Sequence, residues 1–552
     1  DTAIIIWLAG IGSSPGYAAF DVWVNDIHRF TFYADGANHW QITEKQGYIL
    51  SFKNDFTDQH GDKFGFMQLK IPPAKYTPGM PVKIKIAGQA YQRTSWYMTF
   101  KFPLRSGVNL KTLPALIQED GKTTQAARAG IIWFGTEEKA VLKIDGKVVL
   151  EAPLKWGYNY LRFGVPVVDK ARKVKYVLQA GKEKWEGSLV AKPVRKWTVD
   201  FVQHSHTDIG YTRPQTDIMA EHLRYIDYAL DYCDITDSLP DEARFRWTCE
   251  ASWAVEEYLR SRPASQIQRL KKRIEEGRIE VTGMYFNFSE LPDEAHLAAS
   301  LRPLKELQQM GIKVKTAMQN DVNGIGWGLA EYFADIGVKY LNMGTHGHRA
   351  LICFDKPTLF WWESPSGKRM LAWRGEHYMT GNTLFKIHAG DFDIFEDALL
   401  TYLEKLEALG YEYNEISIQH SGYLIDNSPP STLACEMIRK WNSKYSWPRL
   451  RTDVASGFFE RMEKAEGDRF PVYRAAWPDW WTDGFGAACR ETMVTRQAQG
   501  TLCAVNTGFS MAALLGARLP VGVTQRLKEA EKANLFFTEH TCGYHASVSE
   551  PF

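Results

Sequence analysis

Over the first 195 residues the chain is written in short runs where apolar and polar residues alternate or β-branched residues crowd together. Phe20-Asp21-Val22-Trp23-Val24, Val82-Lys83-Ile84-Lys85-Ile86 and Ala140-Val141-Leu142-Lys143-Ile144 are examples. Side chains on a strand alternate between faces, so a period of two predicts half-buried strands. Asp145-Gly146 predicts a tight hairpin into Lys147-Val148-Val149-Leu150. Turn pairs recur at Pro15-Gly16, Asp35-Gly36, Pro78-Gly79 and Asp120-Gly121. The pattern predicts a β-sandwich over residues 1–195, with no chemistry of its own.

Near residue 196 the period changes. Apolar strands now alternate with amphipathic helices, and glycines close the helices. Helices are predicted at Gln266–Glu276 before Gly277, Asp293–Met310 before Gly311, and Trp327–Ile336 before Gly337. Strands are predicted at Ile279–Met284, Val314–Met318, Val338–Asn342 and Ile416–His420. Helix, glycine, strand is the grammar of a parallel sheet or barrel, assigned to residues 196–488. From about Arg490 the strands stop. Glu491–Val505, Ser510–Leu515 and Val523–Phe537 predict a small helical bundle over 489–552.

Composition narrows the classes. A chain of 552 residues is too long for one core. The net charge of +1 gives no electrostatic footprint for nucleic acid. No apolar run is long enough to span a bilayer. The 7 Cys are scattered, with no Cys-x-x-Cys pair, which argues against a zinc ribbon or a disulfide framework. The 19 Trp and 25 Tyr serve large cores and also suit the flat faces of sugar-binding clefts. Asp1 at the start and the polar end at Phe552 suggest a processed or cropped chain, and a secreted or periplasmic location is favoured over a cytoplasmic one.

Three segments carry candidate chemistry. His204-Ser205-His206-Thr207-Asp208 follows the apolar run Trp197–Gln203. If the strand continues, His204, His206 and Asp208 share one side, a nascent metal site with zinc the first candidate. Asp321-Val322-Asn323-Gly324 lies between a strand and a helix, where β/α folds keep catalytic groups. An ordinary turn with Asp321 as a cap reads the same way. His540 ends the last helix in Phe536-Phe537-Thr538-Glu539-His540-Thr541.

Together these segments resemble the α-mannosidases of glycoside hydrolase family 38, over roughly residues 196–545. The family's opening His-x-Asp motif is matched by His206-Thr207-Asp208, and its following aromatic by Tyr211, often Trp elsewhere. Its nucleophile loop is matched by Asp321–Gly324, with Asn323 in place of an aromatic. Its Leu-Phe-x-His-His-Asp stretch is similar to 536–541 and carries a zinc ligand onto His540, while Glu539 and Thr541 depart from the pattern. The acid/base falls on Asp426, in a loop spaced differently from the family's Gly-Asp. Sugar contacts fall on Tyr378 in His377-Tyr378, on Trp481 beside Trp480, and on Arg349.

The resemblance implies a parallel β/α barrel followed by a helical bundle. It implies zinc held by His206, Asp208, Asp321 and His540, and retaining hydrolysis of α-linked mannose through Asp321 with Asp426 as acid/base. The expected partner is a mannose-containing glycan or glycoside. Members usually carry β domains after the bundle, and a homo-oligomer is one way to supply that support. Two alternatives stay open: a zinc-dependent carbohydrate deacetylase, and a sugar-binding homologue without turnover.

Overall fold

A computed structural model describes residues 2–12, 18–58, 61–89, 94–102, 104–119, 121–289, 291–347, 351–477 and 483–543. The chain divides into two compact units. One holds residues 1–113 and 123–194, the other 114–122 and 195–552.

The first unit is built from antiparallel strands. Ala19–Val24 buries every second residue, as its alternation predicts. It lies between Ile27–Tyr33 and Ile84–Gly88. This sheet shares a core with a five-stranded sheet through Val22, Phe30, Leu50 and Met67. A separate cluster around Ala129, Ile131, Leu142, Phe163 and Leu178 fills the later strands. Where alternation alone predicts one sandwich, the unit thus has two distinct cores. The hairpin at Asp145-Gly146 is present, and both residues take positive φ, 47° and 82°.

In the second unit Thr198–Gln203 runs parallel to both Glu415–His420 and Arg449–Asp453. Trp247–Cys249 pairs in parallel with Ile279–Val281. Thr316–Asn320, Tyr340–Thr345 and Arg369–His377 form a further parallel series. A parallel bridge between His204 and Thr248 ties the first sheet to the second. The Gly283 N–H, donating to the Thr316 carbonyl at 2.8 Å, ties the second to the third. These strands are buried along almost their whole length, as parallel strands covered by helices must be. The charged Asp200 among them is ion-paired. Asp200 meets Arg451 at 2.5 Å and Arg461 at 3.1 Å.

Two helix predictions change. The segment 293–310 is broken into Glu294–Ser300 and Arg302–Gln309, because Pro303 supplies no N–H and belongs in a first turn. Conversely, 491–515 is one helix, Cys489–Leu514. Gly508 reads as a break between two helices, but the hydroxyl side chains around it turn back onto one continuous helix. Thr501 donates to the Gln497 carbonyl, Thr507 to Cys503 and Ser510 to Asn506. No helix among the described residues is long and apolar enough to cross a membrane.

Candidate metal centre and its surroundings

Four buried side chains converge in the second unit: His206, Asp208, Asp321 and His540. One ligand atom from each lies within 4.8 Å of all the others. His206 Nε2 and His540 Nε2 are each 3.2 Å from Asp208 Oδ1. Asp321 Oδ2 is 3.3 Å from His540 Nε2 and 4.0 Å from His206 Nε2.

Local structure explains how each arrives. The strand Thr198–Gln203 ends just before His204, and the loop carries His206 and Asp208 over its C-terminal edge. Asp321 follows the strand Thr316–Asn320 and takes φ 70°, a left-handed conformation that Asp tolerates better than most residues. Its N–H donates to the Gly344 carbonyl at 2.9 Å, which fixes the turn against the next strand. His540 lies beyond the helix Val523–Phe536. The chain there pairs with 287–289: the His540 N–H donates to the Asn287 carbonyl at 2.9 Å and the Ser289 N–H to Thr538 at 3.1 Å.

Both imidazoles are set by carboxylates behind them. His206 Nδ1 lies 2.9 Å from Glu250 Oε1, and His540 Nδ1 lies 2.5 Å from Glu539 Oε1. An Nδ1 proton held this way turns Nε2 towards the cluster, the usual arrangement behind metal-ligating histidines. Glu250 is itself held. It accepts from Asn287 Nδ2 at 2.7 Å, Asn320 Nδ2 at 2.5 Å and the Thr207 N–H at 3.1 Å. His204 is support rather than ligand. Its Nδ1 is 2.7 Å from Glu250 Oε2, and its Nε2 is 2.9 Å from the Tyr378 carbonyl.

Burial alone would drive both cluster histidines to the neutral form. The charges of Glu250 and Asp208 on His206, and of Glu539 on His540, outweigh it and hold both well above the usual histidine range. Burial likewise pushes Asp321 up, but His540, His206 and His346 hold it below the usual carboxylate range. Two imidazoles and two ionised carboxylates around one point can hold a divalent ion. His206 Nε2 fits this use, being fully buried and without a well-aligned hydrogen bond among the described residues.

Asp426 lies beside this cluster. Its residue surface is open to solvent, while crowding on its inner side pushes the carboxyl upward. The His206 charge opposes that rise, and the charges of Asp208 and Asp321 add to it. The Tyr378 hydroxyl donates to Asp426 Oδ1 at 3.1 Å. The Tyr378 ring stacks on His206 at 4.4 Å and on His377 at 4.3 Å, and Tyr378 is only 3 % exposed. Its ring is thus stacked against both histidines, and its hydroxyl edge is turned to Asp426. Tyr211 is half-buried, three residues beyond Asp208. Arg349, Trp480 and Trp481 lie outside the described residues.

Several contributors were missed by sequence reasoning. Glu250 is one acid among many, 44 positions from His206. Asn427 carries no motif, yet its side chain bonds to both the N–H and the carbonyl of Asp208, at 3.1 and 3.0 Å. Three departures from the family pattern acquire reasons. Glu539 is the carboxylate behind His540, and Thr541 braces it through its N–H at 3.0 Å. Asn323 bonds both ways with the His346 backbone, at 2.8 and 2.9 Å, clamping the Asp321 turn.

Residues 196–476 match the family described as Glycosyl hydrolases family 38 N-terminal domain. An α-mannosidase from Enterococcus faecalis V583 is similar at 16% identity, with 52% of this chain and 32% of that one covered and a TM-score of 0.42. A glycosyl hydrolase family 38 protein from Enterococcus faecalis gives 14%, 63%, 36% and 0.43. A 4-α-glucanotransferase from Thermococcus litoralis gives 10%, 55%, 44% and 0.35. The matched part spans about a third of the first two structures. No curated protein matches the chain.

Proposed function

The chain belongs to glycosyl hydrolase family 38, and from that premise we propose that it is a zinc-dependent retaining hydrolase of α-linked mannose. The observation that carries the reading is the convergence of His206, Asp208, Asp321 and His540 from three distant turns, with a buried carboxylate behind each histidine. Such a set suits zinc, a borderline ion that takes nitrogen and oxygen donors.

In this reading the four side chains hold zinc, which when bound supplies a positive charge that orients sugar hydroxyls. The two oxygens of Asp321 divide the work. Oδ2 faces the histidines, while Oδ1, 4.0 Å from His346 Nδ1, is the nucleophilic oxygen. It attacks the anomeric carbon, and the bond to the leaving oxygen breaks. Asp426 begins protonated, as its raised pKa favours, and gives that proton to the leaving oxygen. It then takes a proton from the water that releases the sugar from Asp321. One carboxyl held down and one pushed up is the division of labour that paired-acid hydrolysis requires.

The finer architecture belongs to the same proposal. A parallel β/α barrel is supported by the parallel strand series, and a helical bundle by the helices Cys489–Leu514 and Val523–Phe536. The test is release of aryl alcohol from an aryl α-mannoside by the zinc-saturated chain, beside Asp321→Asn. The parent should turn over, and the variant should lose roughly 10³-fold or more, the scale of removing a covalent nucleophile. Equal rates in both would remove Asp321 as nucleophile. A fluorinated mannoside should leave a trapped sugar on Asp321, which a deacetylase would not do.

A further inference from the structure

The helices Cys489–Leu514 and Val523–Phe536 form an antiparallel hairpin. Asn506 Nδ2 donates to Glu531 Oε1 at 3.2 Å, and Asn534 Nδ2 donates to the Thr495 carbonyl at 3.2 Å. The later part of one helix thus meets the earlier part of the other. The turn between them is hydrogen-bonded. Gly516, at φ 84°, closes the first helix. Its N–H donates to the Ala513 carbonyl at 3.0 Å, and the Ala517 N–H to that of Ala512 at 2.9 Å. Gly522, at φ 74°, opens the second helix. His540 lies past the other end of that helix, whose length is roughly 20 Å.

The apolar side chains of this tip stand in solvent. Leu514 is 87 % exposed, Leu515 85 % and Val521 93 %. A single exposed leucine is ordinary, but several on one protruding turn mark an interaction surface. The apolar contact that accompanies such a helix close falls by position on Ala512 and Ala517, so neither leucine is used in it. Neighbouring helical residues point about 100° apart, so one flat partner does not cover both Leu514 and Leu515. A fluid that closes around the tip covers both.

The charge of the hairpin is one-sided. Between Glu491 and Glu529 the chain has no acid. In the turn and at the start of the second helix stand Arg518, Arg526 and Lys528, all exposed and none ion-paired among the described residues. The Arg526 guanidinium donates to the Val521 carbonyl at 3.2 Å, which holds that cation beside the apolar tip. Exposed apolar side chains with cations beside them match a bilayer interface, where acyl chains lie beneath anionic headgroups. A second copy of the chain is disfavoured, because two such tips would set cations against cations.

We propose that this hairpin tip docks on an anionic lipid bilayer, with Leu514, Leu515 and Val521 in the acyl boundary and Arg518 and Arg526 at the headgroup phosphates. The docking is independent of the proposed hydrolysis, since no residue of the tip belongs to the metal cluster.

The test is flotation of the full chain with vesicles of phosphatidylcholine alone and of equimolar phosphatidylcholine and phosphatidylserine. The chain should float with the anionic vesicles, less so as salt rises, and far less with the neutral ones. Leu514→Ser with Leu515→Ser should cut the partition roughly tenfold or more. Arg518→Ala should cut it roughly fivefold. These side chains are exposed, so both variants should keep the thermal midpoint and the aryl α-mannoside turnover of the parent. If the double variant does not fold, Val521→Ser, in the turn outside both helices, replaces it. A chain inactive on the aryl mannoside would remove the hydrolase reading and leave the flotation result standing. Unaltered partition of the leucine variant, equal partition on neutral vesicles, or no flotation at all would each overturn the proposal. A dimer that is lost in the leucine variant, without flotation of the parent, would assign the tip to a second copy instead.

Discussion

Glu250 and Glu539 decide what the two cluster histidines can do. An imidazole in a buried site is neutral unless charge opposes burial, and each of these has a carboxylate on Nδ1. The carboxylates set the tautomer and aim Nε2, so they act on the cluster without belonging to it. Tyr378 acts on Asp426 in the same indirect way. Its hydroxyl donates to the carboxyl and stabilises the charged form, which lowers the Asp426 pKa against the upward push of burial and of Asp208 and Asp321. A general acid must be protonated, so activity falls as pH rises through its pKa, and the nucleophile's limb lies at lower pH. Tyr378→Phe should therefore move the alkaline limb of kcat/KM to higher pH and leave the acid limb in place. A pH profile of aryl α-mannoside hydrolysis reads this directly. An alkaline limb that stayed put or moved down would separate Asp426 from the acid role. His206 and Asp208 were legible because they follow a strand directly at its period. Glu250 was not, since nothing local distinguishes it from other acids on the chain.

Between elements, the decisive contacts run from loop to loop. Asn427, at φ 50°, sits in the loop after Glu415–His420, beside Asp426. Its side chain makes hydrogen bonds to Asp208 N–H and carbonyl, to Thr212 Oγ1 at 2.7 Å and to His222 Nε2 at 2.9 Å. Its carbonyl accepts from the Tyr225 hydroxyl at 2.6 Å. One residue thereby fixes the His206–Asp208 loop, the helix Gln215–Ile235 and the Asp426 loop to one another. Asn427→Ala should cost on the order of 2 kcal/mol, because it strands buried donors and acceptors. It should also weaken zinc binding in competition with a chromophoric chelator, a readout that stability loss far from the loop would not move. Helix existence was legible from apolar period and closing glycines. Helix length was less so, because Pro303 broke one predicted helix, while hydroxyls satisfied inside Cys489–Leu514 joined two others.

For the molecule as a whole, the candidate metal centre joins parts of the second unit that lie far apart in the chain, from His206 to His540. A ligand that binds only the folded form stabilises it by about 2.7 kcal/mol at a hundredfold excess over Kd. Chelation should therefore lower the thermal midpoint of that unit, zinc should restore it, and Asp208→Asn should flatten the response. A midpoint indifferent to chelator would argue against a resident ion. The sequence by itself determined the β-rich beginning, the β/α alternation after residue 196, the closing helices and the residues His206, Asp208, Asp321 and His540 as one candidate set. The elements follow from short-range rules, from side-chain period and turn chemistry, whereas the four residues are joined into one set only by the resemblance to the family 38 motifs. Only the tertiary structure decided that Glu250 and Glu539 stand behind the two histidines and that His204 supports the loop instead of joining the cluster. Those contacts join residues by position in space. Hydrophobic burial and strand register set them, and neither is written at any one place in the chain.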